Sequence, residues 1–486
     1  MWYDNITKIV TIERSSIMRY RIEKDSLGEL KVPAEVYYGI QTLRSKDNFE
    51  ITKRGICRQM IKALVIVKKA AAKANLDAGL IDEKIAKAIM LTCDEILNGR
   101  LHGQFVTDLI QGGAGTSMNM NANEVIANRA NEMLGGDKGD YNFVHPLDHV
   151  NCSQSTNDVI QTAGKLAIIK QLKKTLVELK KLQNAFLDKG KEFKDIIKIG
   201  RTHLQEAVPI TLGQEFNSYA SVLGRNIKKV ESAIDYLSEV NMGGTAIGTS
   251  INTNTKYLKK IVFYLNKFSG EEFKIAKDLI DTTRHLDCFV YTSSMVKLTA
   301  TSLSKIATDL RLMASSGINE ISLPIMQPGS SIMPGKFNPV IPEVVNQVAY
   351  YIMGLDVTVS SAVEAGELEL NVFSPVVLMA IFEEVSTLRR AARTLRESCI
   401  EGLTCNKASD LTEHSVALAT VLAHYIGHDK AYEIATISKE TNKSIKDLVI
   451  EKGLLTQEQA DTIFNIENMA NPSNLDDDIA KTIRGK

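Results

Sequence analysis

Apolar residues recur at three- and four-residue intervals over long stretches of the chain, which is the spacing of one face of an α-helix. The clearest stretch runs from 157 to 188, and Gly190 follows it as a candidate helix stop. A helix of about 32 residues is roughly 48 Å long, so we predict a bundle of long helices that find partners in other subunits. Comparable stretches run near 212–239, 276–316, 342–360 and 373–402.

The long stretches occupy the middle of the chain. Shorter mixed segments precede about residue 150, and shorter helical segments with turn signals at Gly427 and Gly453 follow about residue 406. We therefore expect a mainly α fold of three domains. They are an N-terminal domain (1–153, in which 1–17 is an extension ahead of a second start at Met18), a central long-helix bundle (154–405) and a small C-terminal helical domain (406–486).

Composition excludes several classes of function. Lys plus Arg and Asp plus Glu both number 58, so no global field favours nucleic acid or an anionic membrane. The six cysteines lack the spacing of a metal site or a disulfide framework, and the sequence contains neither a signal peptide nor a stretch of about 18 apolar residues. We expect a cytoplasmic protein with reduced thiols and no metal site.

Proline marks one segment as irregular. Five of the ten prolines fall within nineteen residues around the sequence GSSIMPGKFNP at 329–339, and a helix is expected to restart after Pro342. The segment is predicted to be a functional loop rich in hydroxyl, amide and ammonium groups; a plain connector is the alternative. It is not a nucleotide-phosphate loop, because Gly329 and Gly335 are one residue too far apart and Phe337 replaces the required hydroxyl.

Three further stretches, 112–119, 154–158 and 200–205, place hydroxyl and amide side chains where helices are expected to start. The unpaired N–H groups of a helix start favour an anion, although N-capping is the simpler interpretation of each stretch taken alone. Together with Lys336 and Asn338 they make a set of neutral donors and one cation. Such a set suits a small dicarboxylate.

These stretches resemble the signature regions of the aspartase/fumarase superfamily. The sequence GSSIMPGKFNP is similar to the G-S-S-x-M-P-x-K-x-N-P motif of that superfamily, and the similarity extends from about Arg21 over nearly the whole chain. Three features resemble the aspartate ammonia-lyases: GGAGTS at 112–117, QSTND at 154–158 and NPVIPEVVNQV at 338–348. Three others resemble class II fumarases: Gln41, His145-Pro146 with Asp148, and LNVF at 370–373. The balance favours the ammonia-lyases.

The resemblance implies a homotetrameric lyase that reversibly eliminates ammonia from L-aspartate to give fumarate, without a cofactor and with each active site built from three subunits. Removing the proton next to the β-carboxylate requires donors that stabilise an enediolate, each worth about 3–4 kcal/mol. An electrophilic ring made from contiguous Ala-Ser-Gly is the other known solution for ammonia-lyases. It is excluded because the nearest match, at 314–317, is interrupted.

The resemblance also implies roles for individual residues. Ser330 is the general base, activated by backbone N–H groups, on a loop that closes about Gly329 and Gly335. His203 with Glu343 resembles the pair near the leaving group in fumarases. The β-carboxylate is expected to be held by Thr116, Ser117, Ser155 and Thr156. Lys336 and Asn338 are expected to hold the α-carboxylate. The amino group is expected to be surrounded by Asn157, Thr202 and His203. Ser331 is expected to bind substrate.

The chain departs from the family pattern in two segments. The first, 311–320, is shorter than the usual S-G-P-R-x-G-L-x-E and lacks its arginine, and the second, 422–427, replaces the usual L-N-P-x-I-G. Two alternatives therefore stay open, a class II fumarate hydratase and a non-catalytic structural or binding homologue. The histidines His414, His424 and His428 are interpreted as surface or packing residues.

Overall fold

The computed structural model describes residues 19–406, 415–470 and 477–484, and its described part is mainly helical, as predicted. Residues 1–17, Met18 and His414 lie outside that part. The helices α1 to α11 are Ile40–Asn48, Arg58–Ala78, Glu83–Leu97, Thr116–Met133, Thr156–Glu192, Leu212–Leu237, Thr255–Ser269, Leu279–Arg284, Asp287–Met313, Val340–Glu364 and Ser374–Leu395. Short helices follow at Ala419–Ile426, His428–Thr441, Ile445–Glu451, Gln457–Ile463, Ile466–Ala470 and Asp477–Arg484.

Short strands punctuate the helices in the described ranges. They form two-stranded sheets: antiparallel β1–β2 (Tyr20–Asp25, Gly28–Pro33), β3–β4 (Ile197–Thr202, Gln205–Thr211) and β7–β8 (Ile321–Ser322, Thr404–Cys405), and parallel β5–β6 (Glu239–Val240, Lys274–Ile275). Short turns of 3-10 or π helix lie at His102–Gln104, Pro146–Val150, Arg396–Ile400 and Val416–Leu418, the last two of them directly joined to α-helices. No helix among the described residues has the length and apolarity needed to cross a bilayer.

The chain divides into two compact units. The first unit takes in the described chain up to Ile168, Leu237–Asp287 and Ser361–Met379. The second takes in Ile169–Tyr236, Cys288–Ser360 and the described residues from Ala380 onward. The three-domain division of the chain stays a prediction.

The first unit is packed around α2, which touches α3, α4 and α7. α2 is buried on nearly all sides, as the unbroken buried run from Ala63 to Lys68 shows, which is typical of a helix enclosed by other elements. The start of α5 meets the start of α11 at Gly164, where an added Cβ would lie 2.5 Å from a Leu378 methyl. A glycine here therefore sets how closely the two backbones approach.

The second unit contains the rest of α5 with α6 and α9, and it corrects one prediction. Gly190 does not stop α5, which continues to Glu192. An added Cβ at Gly190 would lie 2.2 Å from Asn217 Oδ1, and one at Gly213 would lie 2.5 Å from the carbonyl oxygen of Gly190. Gly190 is thus required by the close approach of α6. The interpretation of this glycine as a helix stop is wrong.

Two other helix boundaries differ from expectation. The stretch predicted at 276–316 is two helices, since Asp278 caps α8 with its side chain and His285 is extended before α9 begins. α10 begins at Val340, two residues before Pro342 rather than after it. A proline in the first helical turn costs no hydrogen bond, because the N–H groups there have no intrahelical acceptor.

A buried polar cluster joins α9, α10 and α11 in the second unit. Ser293 Oγ lies 2.9 Å from Asp356 Oδ1 and 2.9 Å from Glu384 Oε1, and Lys297 Nζ lies 2.5 Å from Asp356 Oδ2. A hydroxyl donates only one proton, so the geometry favours a protonated Glu384 donating to Ser293, which donates to Asp356. Burial raises the pKa of Glu384 from 4.5 to about 8, and the charge of Asp356 acts in the same direction.

The Glu384 proton makes stability depend on pH. Between about pH 4.5 and 8 the folded state holds a proton that the unfolded state releases, so this contribution is complete below that window and is lost as pH rises through it. We expect Glu384→Gln to remove a slope of up to about 1.4 kcal/mol per pH unit. Denaturant unfolding of both proteins at several pH values measures it, with Glu383→Gln as a control that keeps the slope.

Candidate functional site

The start of α4 is built by three consecutive residues in the left-handed region. Gly113, Ala114 and Gly115 have φ of 83°, 55° and 90°, and Gly115 stands at the N-cap without a capping side chain. An added Cβ at Gly115 would lie 3.0 Å from Ile160 on α5, so this glycine also lets the two helices approach. N-capping by Thr116 is therefore not its role: its hydroxyl donates to the carbonyl of Gly113 at 2.7 Å.

The start of α5 is capped by its own sequence. Ser155 Oγ accepts the amide of Asn157 at 3.3 Å, and Asp158 Oδ1 accepts the amide of Ser155 at 3.0 Å, as in a capping box. Asp158 is fully buried, and its other oxygen accepts the amides of Gly243 at 3.0 Å and Thr245 at 3.2 Å. Burial raises its pKa to about 6, opposed by these hydrogen bonds.

A buried lysine holds the segment that precedes α5. Lys68 on α2 is fully buried, and its ammonium donates to Asn151 Oδ1 at 2.9 Å and Gln154 Oε1 at 3.0 Å. Asn119 on α4 donates to the same Asn151 oxygen at 3.1 Å and to Thr156 Oγ1 at 3.2 Å. The helix starts that carry Ser117 and Thr156 are thus brought together in the first unit through one amide network.

The sequence interpretation missed the segment 243–246 and Lys68. Asn157 Nδ2 donates to the carbonyl of Ala246 at 2.6 Å, and Thr245 has a left-handed φ of 57°. Three glycines in the sequence GGTAIG at 243–248 were the available signal for a tight turn near a functional loop. Lys68 could have been noticed as a charge inside an otherwise apolar helix face, since such a residue needs buried acceptors.

The prediction that Thr202 and His203 lie near a helix start is wrong. They lie at the tip of the β3–β4 hairpin. Thr202 pairs with Gln205, and the two residues between them, His203 and Leu204, have φ of 55° and 61°. This is the two-residue type I′ arrangement, for which Asn-Gly is the preferred sequence. The side chains of Thr202 and His203 are exposed at this tip, whose two central residues are strained.

The Ser330 loop closes at a narrow neck in the second unit. The amide of Gly329 donates to the carbonyl of Lys336 at 2.9 Å, and Asn338 Nδ2 donates to the carbonyl of Gly329 at 2.8 Å. An added Cβ at Gly329 would lie 2.4 Å from the Lys336 oxygen, so the close approach requires glycine, whereas Gly335 turns with φ 79° in open space. The loop prediction is confirmed; its closure about these glycines stays a prediction.

Within this loop Ser330 Oγ accepts the amides of Ile332 at 3.2 Å and Met333 at 2.9 Å. The neighbouring Ser331 and Lys336 are exposed, and Ser330 and Asn338 are partly buried. In the described part of the chain no hydrogen bond or ion pair joins His203 to Glu343, which lies in the first turn of α10. The second unit thus carries Thr202, His203, Ser330, Ser331, Lys336, Asn338 and Glu343 on two loops and one helix start.

The two segments that depart from the family pattern, 311–320 and 422–427, both lie in the second unit. The shortened segment after α9 closes as a tight turn in which the amide of Glu320 donates to the carbonyl of Met313 at 2.8 Å. The segment 422–427 forms the end of the helix Ala419–Ile426, which stops at Gly427 with φ 84°. Leu422 and Tyr425 are buried in a cluster of C-terminal helices that includes Ile199 of β3.

The strained turn gives a stability prediction. Leu204→Gly should raise the thermal midpoint, because glycine adopts the left-handed region without the cost of about 1 kcal/mol that a Cβ brings. Leu204→Val should lower it, since a β-branched side chain fits that region worst. Differential scanning calorimetry of both variants measures the effect, and equal midpoints for the two would contradict the assigned turn.

Comparisons with known proteins show the family of the chain. The family model described as Lyase matches residues 28–354, and the one described as Fumarase C C-terminus matches residues 418–471. A protein of Helicobacter pylori named aspartate ammonia-lyase is 49% identical over 93% of this chain and 98% of its own length. The Bacillus subtilis protein of that name is 47% identical over 93% of this chain and 96% of its own.

Solved structures show the same fold. A Brucella melitensis protein described as fumarate lyase:delta crystallin, bound to cobalt, has a TM-score of 0.91 and 45% identity and covers 93% of this chain and 100% of its own. A class II fumarase from Schistosoma mansoni has a TM-score of 0.89 and 34% identity, covering 94% of this chain and 100% of its own. The chain therefore belongs to the aspartase/fumarase superfamily and, within it, to the aspartate ammonia-lyase family.

Proposed function

We propose that the protein eliminates ammonia from L-aspartate to give fumarate, with Ser330 as the base that removes the C3 proton. The observation that carries the proposal is the geometry of Ser330 Oγ, which accepts two backbone amides at 2.9 and 3.2 Å. A serine hydroxyl is a weak base unless its anion is stabilised, and two N–H dipoles aimed at the oxygen lower the cost of that anion. Membership of the ammonia-lyase family supports the same reaction.

The start of α5 supplies donors for the β-carboxylate as it becomes an enediolate. Thr156 Oγ1 accepts from Asn119, so its own hydroxyl proton is available to a ligand. Ser117 and Ser155 contribute further hydroxyls at the two adjoining helix starts, where the dipole favours an anion. Thr116 must rotate before its hydroxyl can join them, because its proton is engaged at the carbonyl of Gly113.

The remaining groups suit the other half of an amino acid. Asn157 Nδ2 donates to the carbonyl of Ala246, and we assign its Oδ1 as the acceptor for an ammonium group. Thr202 and His203 are presented at the hairpin tip for the same group, with Glu343 as the partner proposed for His203. Lys336 with Asn338 supplies a cation and an amide donor for the α-carboxylate, and Ser331 lies beside the base.

The two alternatives, a class II fumarate hydratase and a non-catalytic homologue, have less support. A class II fumarase shares the fold at 34% identity, below the 45–49% of the relatives named aspartate ammonia-lyase. Of the features that resemble fumarases, His145 accepts the amides of Leu147 and Asp148 and therefore caps the π turn. A non-catalytic homologue has no need of a serine held by two amides.

The direct test is fumarate formation, followed by its ultraviolet absorbance, with L-aspartate and L-malate as separate substrates. We expect fumarate from aspartate alone, with equimolar ammonia released. Ser330→Ala should lower kcat by about 10²–10⁴-fold, the usual contribution of a positioned base. Ser331→Ala, with the same loss of one hydroxyl on the same loop, should retain more activity than Ser330→Ala.

Other outcomes change the assignment in defined ways. Fumarate from malate alone would make the enzyme a hydratase, and silence with both substrates from folded protein would favour the non-catalytic homologue. Equal activity in Ser330→Ala and the unaltered protein would remove Ser330 from the role of base.

The proposal includes a homotetramer in the cytoplasm whose active sites are shared between subunits. Exposed apolar side chains on α10 repeat at seven-residue spacing, Val344 with Tyr351 and Tyr350 with Val357, which is the spacing of helix association. α5, with its 37 residues, is about 55 Å long. The six cysteines, all within the described ranges, form no disulfide, in keeping with a reducing compartment.

Shared sites predict complementation between inactive variants. If Ser330 and Thr156 of one active site come from different subunits, mixtures of Ser330→Ala and Thr156→Val assembled together contain some sites with both native residues. Partial recovery of fumarate formation is expected after co-refolding, measured against each variant refolded alone. Activity no higher than the sum of the two variants would place both residues of a site on one chain.

A further inference from the structure

We propose that Glu320 is a positioning residue, which locks the hairpin tip bearing Thr202 and His203 to the root of the Ser330 loop. It does so through two cations of strand β3, Lys198 and Arg201. The inference rests on the proposed function, since it concerns the same site, and all the residues involved belong to the second unit.

The lock is a buried carboxylate between two cations. Glu320 is 3% exposed, its Oε1 accepts from Arg201 Nη1, and its Oε2 lies 2.6 Å from Lys198 Nζ. Lys198 is itself buried at 6% exposure. Arg201 immediately precedes Thr202 in the strand, so the ion pair acts at the last residue before the tip.

Glu320 is fixed to the root of the loop by its backbone. Its amide donates to the carbonyl of Met313 at 2.8 Å, and its own carbonyl accepts the amide of Asn406 at 2.9 Å. The next two residues form β7, which pairs with β8, and the loop that carries Ser330 follows. One side chain therefore joins two segments that each present proposed substrate contacts.

The partners of Glu320 must come from elsewhere in the fold, because residues 312–319 contain neither lysine nor arginine. A buried carboxylate without cations would be costly, and two cations on one strand offset that cost, Arg201 by a hydrogen bond to Oε1 and Lys198 by its charge beside Oε2. They also fix the orientation of that strand. The tip needs such a fixed base because both of its central residues are strained, so it does not hold its own geometry at low cost.

The chain offers a matched control on the same lysine. Lys198 Nζ also lies 2.6 Å from Glu215 Oε2, on α6. Glu215→Gln and Glu320→Gln each take one carboxylate from Lys198 at the same distance. Only Glu320→Gln breaks the link between the hairpin and the loop root.

The experiment compares the two variants by kinetics with L-aspartate, thermal midpoint and hydrogen–deuterium exchange. We expect both midpoints to fall, and kcat to fall about tenfold or more in Glu320→Gln alone, since small displacements of positioned groups cost large factors in rate. Amide exchange should rise across 199–206 and 323–339 in Glu320→Gln alone. Glu320→Asp, which keeps the charge, should recover part of the loss in kcat.

A double mutant tests the pair itself. Arg201→Gln with Glu320→Gln should be no slower than the slower single variant, because both substitutions break one interaction. Equal falls in kcat and equal exchange in Glu215→Gln and Glu320→Gln would overturn the inference in favour of a purely structural ion pair. If the unaltered enzyme makes no fumarate, the proposed function fails, and the exchange comparison still decides whether Glu320 holds the two segments.

Discussion

The first N–H groups of a helix have no acceptor within it, and the site elements of the first unit are arranged around that deficit. At α1 the deficit is met by Glu124, whose carboxylate accepts the amides of Gly39, Gln41 and Thr42. At α5 it is met by Ser155 and Asp158. At α4 the amide of Thr116 donates to the carbonyl of Gly113 at 2.9 Å, and the amide of Met118 donates to Gln111 Oε1 at 3.1 Å. All three helix starts are thus satisfied in part by acceptors from the protein itself.

The polar interior follows from the same requirement. Most of the residues that hold these helix starts together are buried, and a buried polar side chain needs at least one hydrogen-bond partner. Asn151 illustrates this, since its side-chain oxygen accepts from Lys68, Asn119 and Asn123. Burial lowers the pKa of Lys68 to about 7, so near neutral pH its ammonium group is only partly protonated. The second unit uses paired charges instead, with Glu320 between two cations.

Sequence predicts the long helices well, because a repeating apolar face is a signal summed over many turns. It also predicts the Ser330 loop, where prolines exclude a helix. It failed at the β3–β4 hairpin because each strand is only six or seven residues long and its turn, His203-Leu204, has none of the usual turn residues. Gly190 misled for a related reason, since its cause is a contact with Asn217, 27 positions away in the sequence. Motifs predicted a set of site side chains, but not that the hydroxyl of Thr116 donates to the carbonyl of Gly113.

The hairpin turn has a consequence for how such a sequence can change. A turn built from Asn-Gly would cost the fold less than one built from His203 and Leu204, yet it would remove the imidazole from the tip. Selection for heat resistance alone would favour the less strained Asn-Gly turn, whereas selection for turnover would oppose that replacement. Under the role proposed for His203, an Asn-Gly turn at the tip would therefore increase stability and lower activity.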